Sequence, residues 1–308
     1  MNRHDAVLLI AFGGPERMAD VRPFLHNVVR GRRIPPERIE EVVHHYELFD
    51  GCSPMNALTV QQARALEADL ASRGPGIRVY VGMRNWTPYL RETLAQMRAD
   101  GVRRALGIVM APHRSYSSWD QYLGNVAEAR AQVGPDAPEV EYLDAWFDDP
   151  GFIEAQADRV ASALRGAAAN ASDAVSLVFT AHSIPAAMAA NGPYVEQLTT
   201  SARLVASRLG RARWVVAYQS RSGDPRTPWL EPDVKDVIRG LGRNGTAAVA
   251  VVPVGFVCDH IEVLYDLDHE ARATARESGL AFYRAATVMD HPAFIGMLGD
   301  RVRARGAA

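Results

Sequence analysis

Eight short runs of β-branched and apolar residues, at 6–11, 78–82, 105–111, 140–146, 174–180, 214–218, 247–254 and 281–286, constrain this chain more than anything else in it. Longer segments with helical periodicity lie between them, among them 58–72, 87–99, 152–168, 194–209 and 259–278. A strand that reads as a continuous apolar run must be covered on both faces, and strands joined through helices run parallel. The pattern predicts βαβ units and parallel sheets with helices on either side. Apolar residues make up 48% of the 308, enough to build a core of that kind.

The runs divide into two sets of four, and the letters repeat with them. "DPGFIEAQADRV" (149–160) aligns with "HPAFIGMLGDRV" (291–302), matching Pro, Phe, Ile, Asp, Arg and Val in register. The same offset, which carries Pro150 onto Pro292, also lays 104–113 over 246–255. We read this as an internal duplication. It predicts an α/β fold of two Rossmann-like lobes, 1–148 and 149–308, each a four-stranded parallel sheet flanked by helices, with an active-site cleft between. Ligands of such sheets bind beyond the carboxyl ends of the strands. "AFGGPE" lacks the GxGxxG spacing, and no GxxxxGK[ST] occurs, so a nucleotide cofactor is not expected.

A formal net charge of −2 argues against binding nucleic acid through phosphate attraction. The two cysteines, Cys52 and Cys258, form no CxxC pair and no metal-finger spacing. The apolar run near the N-terminus is short, ends in Gly-Gly-Pro and lacks a cleavage pattern, so it reads as a first strand and not as a secretion signal. The longest apolar run, 247–257, is too short to span a bilayer. The expectation is a cytoplasmic protein without an integral membrane segment.

One stretch runs against ordinary helix design. In "VGFVCDHIEVLYDLDHE" (254–270), Glu262, Asp266 and Glu270 sit four apart, flanked by His260 and His269. On an α-helix they form a negative stripe, in which each like-charged pair costs roughly a few tenths of a kcal/mol. In "SLVFTAHSIP", His182 falls where the first strand of the second half should finish, and Glu262 opens the helix after that half's third strand. Both positions open onto the same sheet edge. An imidazole and a carboxylate there suit a labile divalent first-row metal, and the same pair can move protons near neutral pH.

At these residues the sequence resembles a known family. "FTAHSIP", "YQSRSGDPRTPWLEPDV" and "VPVGFVCDHIEVLYDLD" are similar to motifs of the ferrochelatases, which insert ferrous iron into a porphyrin. "LIAFGGPE", "RGRRIPPERIEEVVHHYELFDGCSPMN", "GMRNWTPYL" and "APHRSYSSWDQYL" extend the resemblance over nearly the whole chain. It implies a chelatase-type fold with His182 and Glu262 as the catalytic and metal-binding pair. It also implies that Ser53, Tyr122, Arg30, Arg84 and Phe12 meet the porphyrin, and that Asp266 and Glu270 continue from Glu262 as a path for hydrated metal. Some relatives carry tyrosine at the position of Phe12 and could ligate the product iron; phenylalanine cannot.

The resemblance implies porphyrin and ferrous iron as substrates and no tightly bound cofactor. Two cysteines cannot hold the iron–sulfur cluster that certain relatives hold with four. "DPRTPWLEPDV" and "GMRNWTPYL" look more like the coproporphyrin III branch than the protoporphyrin IX branch, and Arg30, Arg84 and Arg114 could anchor a tetrapropionate. The expected product is coproheme, formed in haem biosynthesis by a monomer. The alternatives are a protoporphyrin IX enzyme, a chelatase for cobalt or nickel and a sirohydrochlorin-like ring, and a non-catalytic haem- or metal-binding protein.

Overall fold

The computed structural model describes residues 4–31, 35–165, 174–222 and 226–306. Two parallel four-stranded sheets carry them. In the first, β1 (Ala6–Ala11), β2 (Arg78–Met83), β3 (Arg104–Val109) and β4 (Glu139–Tyr142) are ordered β2-β1-β3-β4. In the second, β5 (Ser176–His182), β6 (Trp214–Gln219), β7 (Ala248–Val252) and β8 (Ala281–Arg284) repeat the order as β6-β5-β7-β8. Every pairing is parallel. β1 is buried at all six positions, as its unbroken AVLLIA sequence requires in the middle of a sheet covered on both faces.

The duplicated motif has a physical reason at the start of each copy. Asp149 caps the helix Pro150–Leu164 by accepting from Gly151 N at 3.1 Å. His291 caps Pro292–Ala304 by accepting from Ala293 N at 3.3 Å. In both, proline takes the first helical position, where a missing N–H costs nothing.

Residue contacts group the chain into two units, and they depart from the expected boundary at 148. One unit holds residues up to 111, 116–145 and 290 onward; the other holds 112–115 and 146–289. The last helix, expected with the second lobe, belongs to the first unit. There it packs on the helix Met55–Ser72, with Arg303 3.2 Å from Asp69 and Gly299 so close that a Cβ would meet the Asp69 carboxylate at 2.0 Å. Its duplicate, Pro150–Leu164, packs within the second unit on Tyr194–Arg208, joined by Glu154 to Arg208 at 3.2 Å.

The second unit's core sets the position of the acidic segment. Val178, Val249 and Val251 of the sheet pack with Ile238, Val263, Leu267 and Ala271. Each fully buried valine, leucine or isoleucine among them contributes about 1.5–3 kcal/mol. Where an unbroken helix was expected over 259–278, the chain forms an α-helical turn Ile261–Val263, a π-helix Leu264–Ala271 and an α-helix Arg272–Glu277. The wider i→i+5 winding is rare and gathers at functional sites. Gly255, which leads into this segment, lies where a Cβ would meet Ala181 Cβ at 2.5 Å, so only glycine lets the loop pass β5.

Candidate active site

His182 is the last residue of β5, in register with Gln219 of β6. Its Nδ1 hydrogen-bonds the carbonyl of Ser183. A carbonyl only accepts, so Nδ1 carries a proton, and Nε2 is the nitrogen turned toward Glu262. That nitrogen lies 3.7 Å from Oε2 of Glu262, and both side chains reach solvent, at 31% and 51% exposure. The strand end is pinned from several sides. Tyr194 donates its hydroxyl to His182 O at 2.9 Å, Ser183 N donates to Gln219 O at 2.7 Å, and Ser183 Oγ donates to Leu230 O at 2.9 Å.

The three carboxylates of the stripe each have a different partner. Glu262 faces His182. Asp266 accepts from the Ser220 hydroxyl and, at 3.5 Å, from the Gln219 amide, which also reaches Glu262 O at 3.3 Å. Burial pushes the Asp266 carboxyl up to about 7; the Ser220 hydrogen bond opposes this, and the charges of Glu262 and Glu270 add to it. Glu270 pairs with Lys235 at 2.8 Å.

The flanking histidines do something else. His260 is buried edge-on against Phe256, with centroids 4.7 Å apart, and burial holds its pKa below the usual imidazole value. His269 stacks on Tyr265. Arg284 braces the whole segment, contacting Asp259 at 3.0 and 2.8 Å and Asp268 at 3.1 Å. Among the described residues, no three His, Cys, Asp or Glu side chains converge as a resident metal would require.

The first unit holds the second set of expected residues. The Arg84 guanidinium lies 5.4 Å from the Tyr122 ring centre and 5.9 Å from that of Phe12. Phe12 continues edge-on to Phe24, then Trp86, then Tyr89. Arg30 is exposed and donates to Asn27 Oδ1 at 2.7 Å, and Asn27 in turn donates to Tyr89 Oη at 3.0 Å. Ser53 is 5% exposed and packs beneath Gly14, where a Cβ would approach its own at 2.7 Å. Arg114 lies in the second unit, with its backbone N–H on Gln197 Oε1 at 2.7 Å.

Sequence reasoning missed Tyr194, Gln219, Ser220, Trp86 and Lys235. Gln219 could have been found from strand alignment, since it ends the strand beside His182. Lys235 had its own signal: a cation in the first turn after the Asp233 cap, where the helix dipole disfavours positive charge.

The family model described as Ferrochelatase matches residues 4–306. The chain belongs to the ferrochelatase family. Coproporphyrin III ferrochelatase of Mycolicibacterium smegmatis is 47% identical over 97% of this chain and 88% of its own length. A ferrochelatase of Rhodopirellula baltica is 44% identical over 98% of this chain and 86% of its own length. Among solved structures, SirB from Bacillus subtilis with ferric iron superposes with a TM-score of 0.61 over 98% of this chain and 95% of that one. At 11% identity, that likeness shows the fold alone: two four-stranded parallel sheets flanked by helices, as in chelatases.

Proposed function

We propose that this ferrochelatase-family enzyme inserts ferrous iron into coproporphyrin III to give coproheme, a step of haem biosynthesis. The observation that carries the reading is Nε2 of His182 beside the Glu262 carboxylate at 3.7 Å, with Nδ1–H held on Ser183 O.

The reaction exchanges one ferrous ion for two pyrrole protons. The iron must shed water, and both protons must leave for solvent. Nε2 of His182, whenever it is unprotonated, can accept a proton or donate to a metal. Glu262 can take a proton onward or hold the cation's charge. Asp266 and Glu270 extend the negative stripe, so a hydrated cation would meet carboxylates in sequence. Two protein donors at the reacting end suit a metal in transit, because the ring nitrogens must replace its other ligands.

Arg84 against Tyr122 and Phe12 supplies a cation on an aromatic surface, a fitting partner for a carboxylate-bearing planar ring. The name of the Mycolicibacterium relative supports coproporphyrin III; the Rhodopirellula relative is named only as a ferrochelatase. Our reading includes a cytoplasmic monomer without an iron–sulfur cluster. Among the described residues, no helix is long and apolar enough to cross a membrane. Of the two cysteines, Cys52 is exposed and Cys258 buried.

The test mixes anaerobic protein and ferrous iron with coproporphyrin III or protoporphyrin IX and follows the Soret band. Faster conversion of coproporphyrin III supports the reading. Faster conversion of protoporphyrin IX shifts the substrate, and binding without turnover of either leaves a porphyrin-binding protein. Acid-labile sulfide in stoichiometric amount would contradict the absence of a cluster.

A further inference from the structure

The chain has 34 basic residues, and only one of them, Lys235, is lysine. That lysine sits in the first turn of Val234–Arg243, against the helix dipole, and its ammonium is held by Glu270 at 2.8 Å. Both side chains are about one-third exposed, so the pair is neither locked in the interior nor fully solvated. The choice of cation matters. A guanidinium grips a carboxylate in a rigid bidentate fork, whereas an ammonium is a compact point charge on a flexible stem and exchanges partners readily.

The displaced ammonium also has somewhere to go. Lys235 lines a cavity of about 670 Å³ together with Glu231, Asp233 and Asp236 and with Arg221 and Arg239. Arg239 pairs with Asp236 at 2.8 Å and Asp233 caps the helix, leaving Glu231 as the acid the ammonium would approach.

We propose that Lys235 is a tethered competitor of the metal substrate: it occupies Glu270, the outer carboxylate of the stripe, and swings into the adjoining cavity when a divalent cation arrives. This deepens the metal-path reading given above and rests on it. The Lys235 ammonium is paired with Glu270 and not with His182 or Glu262, so we treat it as a positioning residue that sets metal affinity and selectivity by how easily it yields. A divalent ion outcompetes the single ammonium charge, while monovalent ions of the medium do not.

Two substitutions should move the kinetics in opposite directions. Lys235→Met leaves Glu270 unoccupied and should lower the apparent KM for ferrous iron by roughly three- to fivefold, the upper part of the range expected for removing one partly exposed ion-pair partner. Lys235→Arg should raise it, because the fork yields less readily. In both variants kcat and the porphyrin KM should stay within about twofold of wild type. A lysine that merely shapes Glu270 would give the opposite result for methionine and little change for arginine.

Because the lysine is unique, it also offers a readout independent of turnover. Reductive methylation with ¹³C-formaldehyde keeps the charge and labels Lys235 and the chain's α-amine alone. Zinc ion added without porphyrin should shift the dimethyl-lysine resonance toward its position in Glu270→Gln. An unmoved resonance at zinc concentrations that saturate insertion overturns the proposal. So does an unchanged or raised metal KM in Lys235→Met. If the wild-type protein inserts no metal into any porphyrin, the chelatase reading fails, while the resonance titration still decides whether a cation displaces Lys235.

Discussion

The hydroxyl of Tyr194 donates to the main-chain carbonyl of His182 at 2.9 Å, so the strand end that presents the imidazole is held from beneath by a buried side chain. Burial also raises the phenol's pKa, which keeps it a donor throughout the working pH range. Tyr194→Phe removes that hydrogen bond and nothing else of the ring. The stability cost should be about 1 kcal/mol. A small displacement of the reacting nitrogen should lower kcat by roughly tenfold while the porphyrin KM holds. Equal changes in both constants would show that the tyrosine supports the fold and not the imidazole.

His182→Ala should nearly abolish metal insertion and leave the melting temperature within a few degrees of wild type. A strand-end side chain at 31% exposure contributes little packing. Insertion rates and thermal unfolding measured on one preparation separate a catalytic role from a structural one. Retained turnover removes His182 from the reaction.

Arg284 joins Asp259 and Asp268, which stand on either side of Glu262 and Asp266 in the chain. Deleting it as Arg284→Leu leaves Asp259 with only the Thr287 hydroxyl and Asp268 with Arg272, and breaking a buried pair costs about 3–5 kcal/mol. Asp268 keeps some solvent contact, so the lower end of that range is expected. Urea unfolding should show the loss in the midpoint. Arg284→Lys, which keeps the charge but not the forked geometry, should recover part of it.

Much of the fold was legible because central strands such as Ala6–Ala11 are covered on both sides and cannot hide their apolar runs. The ends of β4 and β8 were overextended for the same reason. Leu143, Trp146 and Ala285 are buried by packing and not by strand pairing, and hydrophobicity alone does not distinguish the two. The π-helix was illegible because Val263, Leu267 and Ala271, four apart, fit an α-helical face equally well. Nothing local in 292–304 says that this helix packs with the first unit. At the site, His182 and Glu262 could be placed because strand ends are readable. The partners of the outer carboxylates, Ser220 and Lys235, come from 46 and 35 residues away and needed the tertiary structure.

His113 predicts acid sensitivity. It is fully buried, with Nε2 on Ser201 Oγ at 2.9 Å, and desolvation pushes its pKa down to about 3. The unfolded chain takes up this proton near pH 6.5, while the native state does not until about 3. Stability is therefore unaffected by this residue above 6.5 and declines as pH falls from there toward 3, by up to about 1.4 kcal/mol per unit. His113→Gln keeps an N–H donor without the titration. The difference in urea midpoint between pH 7 and pH 5 should be smaller in the variant; equal differences would contradict the assignment.

Asp266 carries the opposite sign, and it tests the stripe directly. Its native carboxyl, raised to about 7 by burial, keeps a proton that the unfolded chain releases near 3.8. Its contribution is therefore present at low pH and is lost as pH rises from about 4 to 7. Asp266→Asn should remove that slope and gain stability relative to wild type as pH rises through the window. The kinetic consequences should grade along the stripe. Glu262→Gln acts at the reacting end, removing charge and proton acceptor together, so the maximal rate should collapse. Glu270→Gln removes charge farther along, and Asp266→Asn removes the charge that Asp266 carries above about pH 7. Both should chiefly raise the apparent KM for iron, the second most clearly at alkaline pH. If the three carboxylates were only a tolerated surface feature, neutralising the outer two would relieve repulsion by roughly a few tenths of a kcal/mol and leave metal dependence untouched. Rates measured against iron concentration for the three variants decide the matter. Unchanged metal KM in both Asp266→Asn and Glu270→Gln would leave Glu262 as the only carboxylate of the stripe with a part in the reaction.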